Sequence, residues 1–359
     1  MNGGLEGRAQ LVVSVRDGEL GKIANDVVGR PEEDAAVGLV EHGRVVVGVA
    51  GGHHAQVPVY NGGDFLKLSI ESVLQQDLVD FEFLILDDCS TDGSWNFIER
   101  INDPRVTRYR NEKNRGLFYN LNFLVSKSRA DLIKLWAQDD IIYPNCLSSV
   151  VAMHNKYPNL GFSYTGKEFI DQYGNEKLVN YVDNTPEIIS SELHARISFF
   201  TGSIAGNIAN VCIRREALNK VGPFREDMKI SADFDMWVRL AKEHDTCFIR
   251  EKLTRLRHHS GQLSQKGSLY IYHVKEDIEV FQNLLGYVEP AIHKEGKMLL
   301  RKHKFVFYYT LMVKELLHGR FHSAYNFYRE LANADNFLKL TLSFIKGKIK
   351  KPGLPAFLN

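Results

Sequence analysis

Residues Asp131 to Pro144 read DLIKLWAQDDIIYP, and this stretch decides the fold. Leu132 to Trp136 is a short apolar run, the pattern of a buried strand. It stops at Asp139-Asp140, and Pro144 opens a helical pattern. Open α/β sheets bind ligands just outside the carboxyl ends of their strands. Two adjacent carboxylates there repel each other, and oxygen donors of this kind suit Mg²⁺ or Mn²⁺. The same two residues also suit a turn followed by a helix N-cap. On this stretch alone the two readings stand level.

Upstream, the same strand-to-turn text recurs. Val57-Pro58-Val59-Tyr60-Asn61-Gly62-Gly63 reads as a strand end running into a turn, and Asp64 as the cap of a helix through Gln76. Phe81 to Leu86 is a second strand ending in Asp87-Asp88, with Ser90 to Ser94 as turn and cap. Arg105 to Tyr109 is a third. Asn114-Arg115-Gly116 then leads into a helix over Phe118 to Ser126. Strands alternating with helices imply right-handed crossovers and a largely parallel sheet.

Downstream, the spacing predicts a helix to about Tyr157, a strand over Leu160–Tyr164 and a hairpin over Lys167–Lys177. Further strands are expected at Val211–Arg214 and Cys247–Arg250, with a helix over Asp233–Glu243 between them. From Tyr270 onward the text is helical throughout.

Composition bounds the function. The chain has 359 residues, 44% hydrophobic and 25% charged, the balance of an ordinary globular protein. A net charge of +1 argues against a nucleic-acid polymer as partner. From Lys294 to the end, however, 13 Lys or Arg face 4 Asp or Glu. Cys89, Cys146, Cys212 and Cys247 lie far apart with no ligand spacing, as reduced cytosolic thiols do. No signal peptide is evident. The uncharged stretch Ile197–Ile213 is too polar to span a bilayer.

Taken in order, PVYNGG (58–63), SIESVLQQ (69–76), LDDCSTDGS (86–94), NRGL (114–117), QDDIIYP (138–144), ADFDMW (232–237) and RHH (257–259) resemble a family-2 glycosyltransferase of the GT-A fold, of the inverting, surface-polysaccharide type. The resemblance covers roughly Val57 to Gln265. It implies a Rossmann-like, mostly parallel sheet flanked by helices, with a C-terminal helical extension. It divides the chain into an atypical N-terminal segment (1–56), the transferase domain (57–265) and helices (266–359).

The resemblance also implies roles. Pro58, Tyr60, Asn61 and Asp88 would line the nucleotide pocket of a UDP- or dTDP-sugar donor, with Arg115 near its diphosphate. Asp140 would hold Mg²⁺ or Mn²⁺, Asp139 would bridge sugar and metal, and His259 would touch the metal or diphosphate. Ala137 stands where the family's first aspartate would be. Asp233 matches the family's base, Asp235 would be structural or acceptor-binding, and Trp237 would sit in the core. Ala232 replaces the usual Glu. The implied activity is inverting transfer to a glycan or lipid-linked acceptor at the cytoplasmic side. A donor- or glycan-binding relic and a sugar-nucleotide nucleotidyltransferase are the alternatives.

Two segments carry separate expectations. Residues 1–56 hold no Phe, Tyr or Trp, one Lys and 11 of the 28 glycines. Gly51-Gly52-His53-His54-Ala55-Gln56 does not read as a buried strand, so the first strand is expected to be mostly missing, or replaced by Arg44–Ala50 with Val45, Val47 and Val49 buried. At the other end, Phe337 to Lys351 interleaves apolar residues with lysines. That pattern suits either an anionic membrane surface or a packed helix with a solvated lysine face.

Overall fold

The computed structural model describes residues 52–177, 183–262 and 269–349. Its first half alternates strictly: β1 (His53–Val59), α1 (Phe65–Leu74), β2 (Glu82–Asp87), α2 (Ser94–Ile98), β3 (Val106–Arg110), α3 (Leu117–Lys127), β4 (Leu132–Leu135) and β5 (Ile141–Ile142). Next come α4 (Cys146–Lys156), β6 (Leu160–Ile170), β7 (Glu176–Lys177), β8 (Ile188–Ile189), α5 (Ser191–Thr201), β9 (Val211–Arg214), α6 (Arg215–Val221), α7 (Ala232–Glu243) and β10 (Asp245–Arg257). Five helices follow: α8 (Tyr270–Leu284), α9 (Pro290–Leu300), α10 (Val306–Leu317), α11 (Phe321–Ala334) and α12 (Phe337–Ile349). A π-helical turn, Arg301–Phe305, joins α9 to α10. From Tyr270 the described residues are helical, as expected, with turns at 285–289, 318–320 and 335–336 between helices.

The sheet runs β3-β2-β1-β4-β9-β6-β10-β5, with β7 on β6 and β8 on β10. Neighbours are parallel from β3 to β4 and again between β6 and β10, while β9 lies antiparallel between β4 and β6. Two reversals restore direction, so β1, β2, β3, β4, β6 and β10 all end at one edge.

Alternate residues of β4 enter opposite cores, as the pleat requires. Ile133 and Leu135 pack with α3, α5 and the C-terminal helices, whereas Leu132 and Trp136 pack with α1 and α4. Trp136 and Trp237 are wholly buried, and truncating such a residue costs about 3–5 kcal/mol.

The first strand is present, which corrects the expectation that it would be missing. His53 to Val59 pairs in parallel with β2 on one side and β4 on the other. Its polar residues are partly satisfied: His54 Nε2 lies 3.0 Å from Gln56 Oε1, and Gln56 Nε2 donates to the Leu121 carbonyl, while the Nδ1 atoms of His53 and His54 are buried without a partner. Burial drives the His54 pKa down to about 4, so the ring stays neutral. The place between β2 and β4 is therefore not open to Arg44–Ala50, and Val45, Val47 and Val49 lie outside the described residues.

Among the described residues no helix is long and apolar enough to cross a membrane. Cys146, Cys212 and Cys247 are buried free thiols, and Cys89 is part-buried.

Candidate active site

The edge at which the strands end carries the predicted site residues. The turn after β1 and the turn after β2 are laced together. Asn61 N–H donates to Ser90 Oγ (2.9 Å), Gly62 N–H to Ser94 Oγ (3.0 Å) and Gly63 N–H to Asp92 Oδ2 (2.9 Å). Asn61 Oδ1 accepts from the Thr91 N–H at 2.8 Å. Asn61 (φ 50°) and Cys89 (φ 63°) adopt left-handed backbone there, a conformation few non-glycine residues accept. Burial raises the Asp92 pKa, but hydrogen bonds from Ser94 and Gly63 outweigh it and hold the group ionised. Asp64, expected to cap α1, makes no side-chain cap bond; Asp92 binds its turn instead.

Pro58 is buried within β1, while Tyr60 is 45% exposed above the sheet. The Tyr60 backbone is gripped on both sides by Gln138, whose Oε1 accepts at 2.7 Å and whose Nε2 donates at 3.1 Å. Asp88 is buried and turned toward α3: it accepts from Asn111 Nδ2 (2.7 Å) and from the N–H groups of Arg115 (2.7 Å) and Gly116 (2.9 Å). It thereby holds the N-terminus of α3. The exposed Arg115 guanidinium stacks 4.2 Å over the Tyr119 ring.

The aspartates after β4 are placed by α1. Ser69 Oγ accepts from Trp136 Nε1 and donates to the Ala137 carbonyl, both at 2.8 Å. Gln76 bridges the Tyr143 carbonyl and the Leu147 N–H. The two aspartates then diverge. Asp139 is partly exposed and its Oδ2 lies 2.9 Å from His259 Nε2. Asp140 is wholly buried, its Oδ1 accepting from the Arg257 N–H at 2.8 Å while Oδ2 has no partner. Burial, then the Asp139 charge, pushes the Asp140 carboxyl well above the usual range, against the pull of Arg257 and Lys134. Arg257 Nε also binds the Asp139 carbonyl, and its guanidinium stacks on Phe65.

Asp233 sits in the first turn of α7. That helix leads back to the start of β10, so its N-terminus lies toward the carboxyl edge of the sheet. The Asp233 side chain is partly exposed, with Oδ1 accepting from the Phe234 N–H at 2.7 Å. Burial of the carboxyl, opposed by that bond and helped by Asp277 and Glu276, raises its pKa to about 7. Asp235 is spent on an ion pair with Arg239 at 2.8 Å.

Four participants were given no role from the sequence, although the first three lie in motifs quoted above: Gln138, Ser69, Gln76 and Lys134. Polar residues on a helix face or a strand leave no periodic signal. Lys134 is wholly buried, donating to the Leu135 and Ala209 carbonyls, and burial lowers its pKa. It ties the end of β4 to the turn at 208–210.

A divalent cation can be tested against these donors. Among the described residues no group of three or more His, Cys, Asp or Glu side chains could hold an ion. Mg²⁺ and similar ions are typically held by one or two carboxylates plus substrate phosphates, keeping several waters. The partly exposed Asp139 carboxylate fits that mode, and no closed protein cage is present among the described residues; Asp140 Oδ2 is unpartnered beside it but buried.

The family model described as Glycosyl transferase family 2 matches residues 55–221. An uncharacterized glycosyltransferase of Rickettsia felis is 26% identical over 212 residues, 58% of this chain and 35% of that protein. Chondroitin synthase of Escherichia coli is 28% identical over 188 residues, 52% of this chain and 26% of that protein. The chain thus spans about a third of the length of the first curated relatives it matches. In fold, the S. aureus TarS 1-349 crystal structure superposes with a TM-score of 0.54 at 15% identity, over 82% of this chain and 92% of that one. TarS 1-349 in complex with UDP-GlcNAc gives 0.52 at 17% identity, over 69% and 70%. With the strand order and carboxyl-edge turns described above, these matches show a GT-A fold whose residues 55–221 are similar to glycosyltransferase family 2.

Proposed function

We propose that this protein transfers a sugar from a nucleotide-sugar donor, UDP-linked in the first instance, to a hydroxyl of a surface polysaccharide or glycolipid, with inversion at the anomeric carbon. The observation that carries the reading is the single edge shared by a laced donor turn (Tyr60–Gly63 on Ser90–Ser94), an exposed carboxylate (Asp139) and a carboxyl with a pKa of about 7 (Asp233). The intact β1 removes one reason to read the chain as a relic.

In this reading the Tyr60–Gly63 turn and Asp88 seat the nucleoside, and Arg115 swings from Tyr119 to the diphosphate. Asp139 and His259 face the diphosphate, and Asp140 keeps the Arg257 backbone in place. Mg²⁺ or Mn²⁺, held by these carboxylates with the donor phosphates, would stabilise charge growing on the leaving diphosphate. The acceptor oxygen attacks the anomeric carbon, the bond to the diphosphate breaks, and the electron pair leaves with the phosphate oxygen. Asp233 takes the hydroxyl proton, for which a pKa near the working pH is well matched. The protein would work at the cytoplasmic face, touching anionic lipid through α12. The test is UDP release from UDP-GlcNAc in Mn²⁺, expected from the wild type and absent from Asp233→Asn. Release at equal rates from both would remove the assignment.

A further inference from the structure

The helices after the sheet reach back to the residue proposed as base. Glu276, in the middle of α8, is 4% exposed. Its Oε1 accepts from the Lys229 N–H at 2.7 Å, and its Oε2 from the N–H groups of Ile230 (2.9 Å) and Ser231 (2.8 Å). Three successive backbone donors form an anion-binding nest, and here the anion is a side chain of the same chain. Ser231 is the N-cap position of α7 but does not cap its own helix. Its hydroxyl instead donates to Asp277 Oδ1 at 2.8 Å. Asp277 Oδ2 accepts from Tyr308 Oη at 2.9 Å and from Lys304, which stands on the π-helical turn. Such turns often mark functional places in helices.

We propose that Glu276 and Asp277 are positioning residues for Asp233: from α8 they hold the N-terminus of α7 and set the electrostatic field at its carboxylate. The inference rests on Asp233 being the base. Two adjacent buried carboxylates are an expensive way to fasten one helix to another if packing is the only purpose. Burial is the largest cause of the raised Asp233 proton affinity, and the two carboxylates behind the first turn of α7 add to it by opposing ionisation. Asp277 itself stays ionised: burial pushes its pKa up, but the charge and hydrogen bond of Lys304 and the hydrogen bond from Ser231 outweigh it.

Other charged groups on elements packed around α7 are committed elsewhere or neutral. Lys304 belongs to Asp277, and burial lowers the pKa of His273. On α7 itself Asp235 is paired with Arg239. Lys220 of α6 binds Glu243 at the far end of the helix. His194 of α5 is kept neutral by burial, which lowers its pKa to about 3. Lys167 of β6 is buried beside Gly206, and Arg257 at the end of β10 serves Asp139 and Asp140.

The test is ¹³C-carboxyl NMR of the full chain labelled at aspartate, with Asp233→Asn identifying the resonance. The wild type should titrate near pH 7. Removing the neighbouring negative charge in Asp277→Asn should move that midpoint down by roughly one unit, and Glu276→Gln should move it in the same direction. The acid limb of UDP release from UDP-GlcNAc should shift to lower pH with it, in kcat more than in KM. An unmoved Asp233 midpoint in either folded variant overturns the inference, as does failure of both variants to fold. Midpoints that move while Asp233→Asn keeps full turnover would leave the platform standing and remove the base.

Discussion

His259 Nε2 lies 2.9 Å from Asp139 Oδ2, although 120 residues separate them in the chain. The Gly261 N–H donates to the other ring nitrogen, Nδ1, at 3.2 Å, so Nε2 carries the N–H that donates to the carboxylate. The pair is a preformed acceptor and donor at the mouth of the site. It orients the one carboxylate of Asp139 and Asp140 that reaches solvent.

Donor binding should therefore depend on Asp139 and on the cation together. Calorimetric titration with UDP is expected to show affinity in Mn²⁺ at least about tenfold weaker for Asp139→Ala than for wild type, and no difference in EDTA. Equal affinities in Mn²⁺ would remove the cation from this edge. Asp140→Ala acts on the fold, because the buried Arg257 N–H loses its acceptor. A drop in stability of about 1–3 kcal/mol is expected, read from urea unfolding.

Asp233→Asn should lower turnover by about 10²–10⁴-fold with nucleotide affinity unchanged. In the wild type the base must be ionised, so kcat/KM should rise with pH through about 7. The same shift has a stability consequence. A carboxyl whose pKa is raised on folding adds nothing against a neutral isostere below pH 3.8, and weakens the fold as pH climbs to about 7. Asp233→Asn should accordingly melt higher than wild type above pH 7, with the gain vanishing near pH 4. A gain independent of pH would contradict a titrating Asp233.

Acid should destabilise the protein through its buried imidazoles. Burial, the largest cause in each, lowers the pKa of His54 to about 4 and of His154 and His194 to about 3, from 6.5. Between pH 6.5 and 4 the unfolded chain binds more protons than the folded one, so stability falls as pH falls through that window. Thermal unfolding followed from pH 8 to 4 should show Tm declining below about 6.5. A flat profile would mean these rings take up protons without unfolding.

The proposed contact with anionic lipid rests on the outer face of α12. Leu338 (70% exposed), Leu342 (49%) and Ile345 (46%) line one side of α12, with Lys339 and Lys346 exposed beside them. Leu340 is wholly buried and Phe344 packs on Tyr309, so cutting the helix away would open the core. Charge reversal is the gentler probe. Lys339→Glu with Lys346→Glu should reduce flotation with phosphatidylglycerol vesicles roughly tenfold or more, at about 1 kcal/mol per basic residue near the surface. Equal flotation of both proteins would retire the contact.

Several strands and the polar residues at their ends were legible from the residues alone. An apolar run such as Leu132–Trp136 reports a buried strand, and the residues that stop it report where the sheet meets solvent. Asp87, Asp88, Asp139 and Asn61 were found that way. The sign of each local pattern was readable because it depends on neighbours a few positions off. What stands at longer range was not. His53–Gln56 looked unfit for a central strand, yet His54 and Gln56 bond each other and Gln56 bonds Leu121 once α3 covers them. Asp139 and Asp140 look equivalent in sequence, and only the approach of Arg257 and His259 makes one buried and the other exposed. Glu276 and Asp277 carry no motif at all. A buried carboxylate gains its meaning from the donors it meets, and those donors, Lys229 to Ser231, Lys304 and Tyr308, converge only when the helices pack against the sheet.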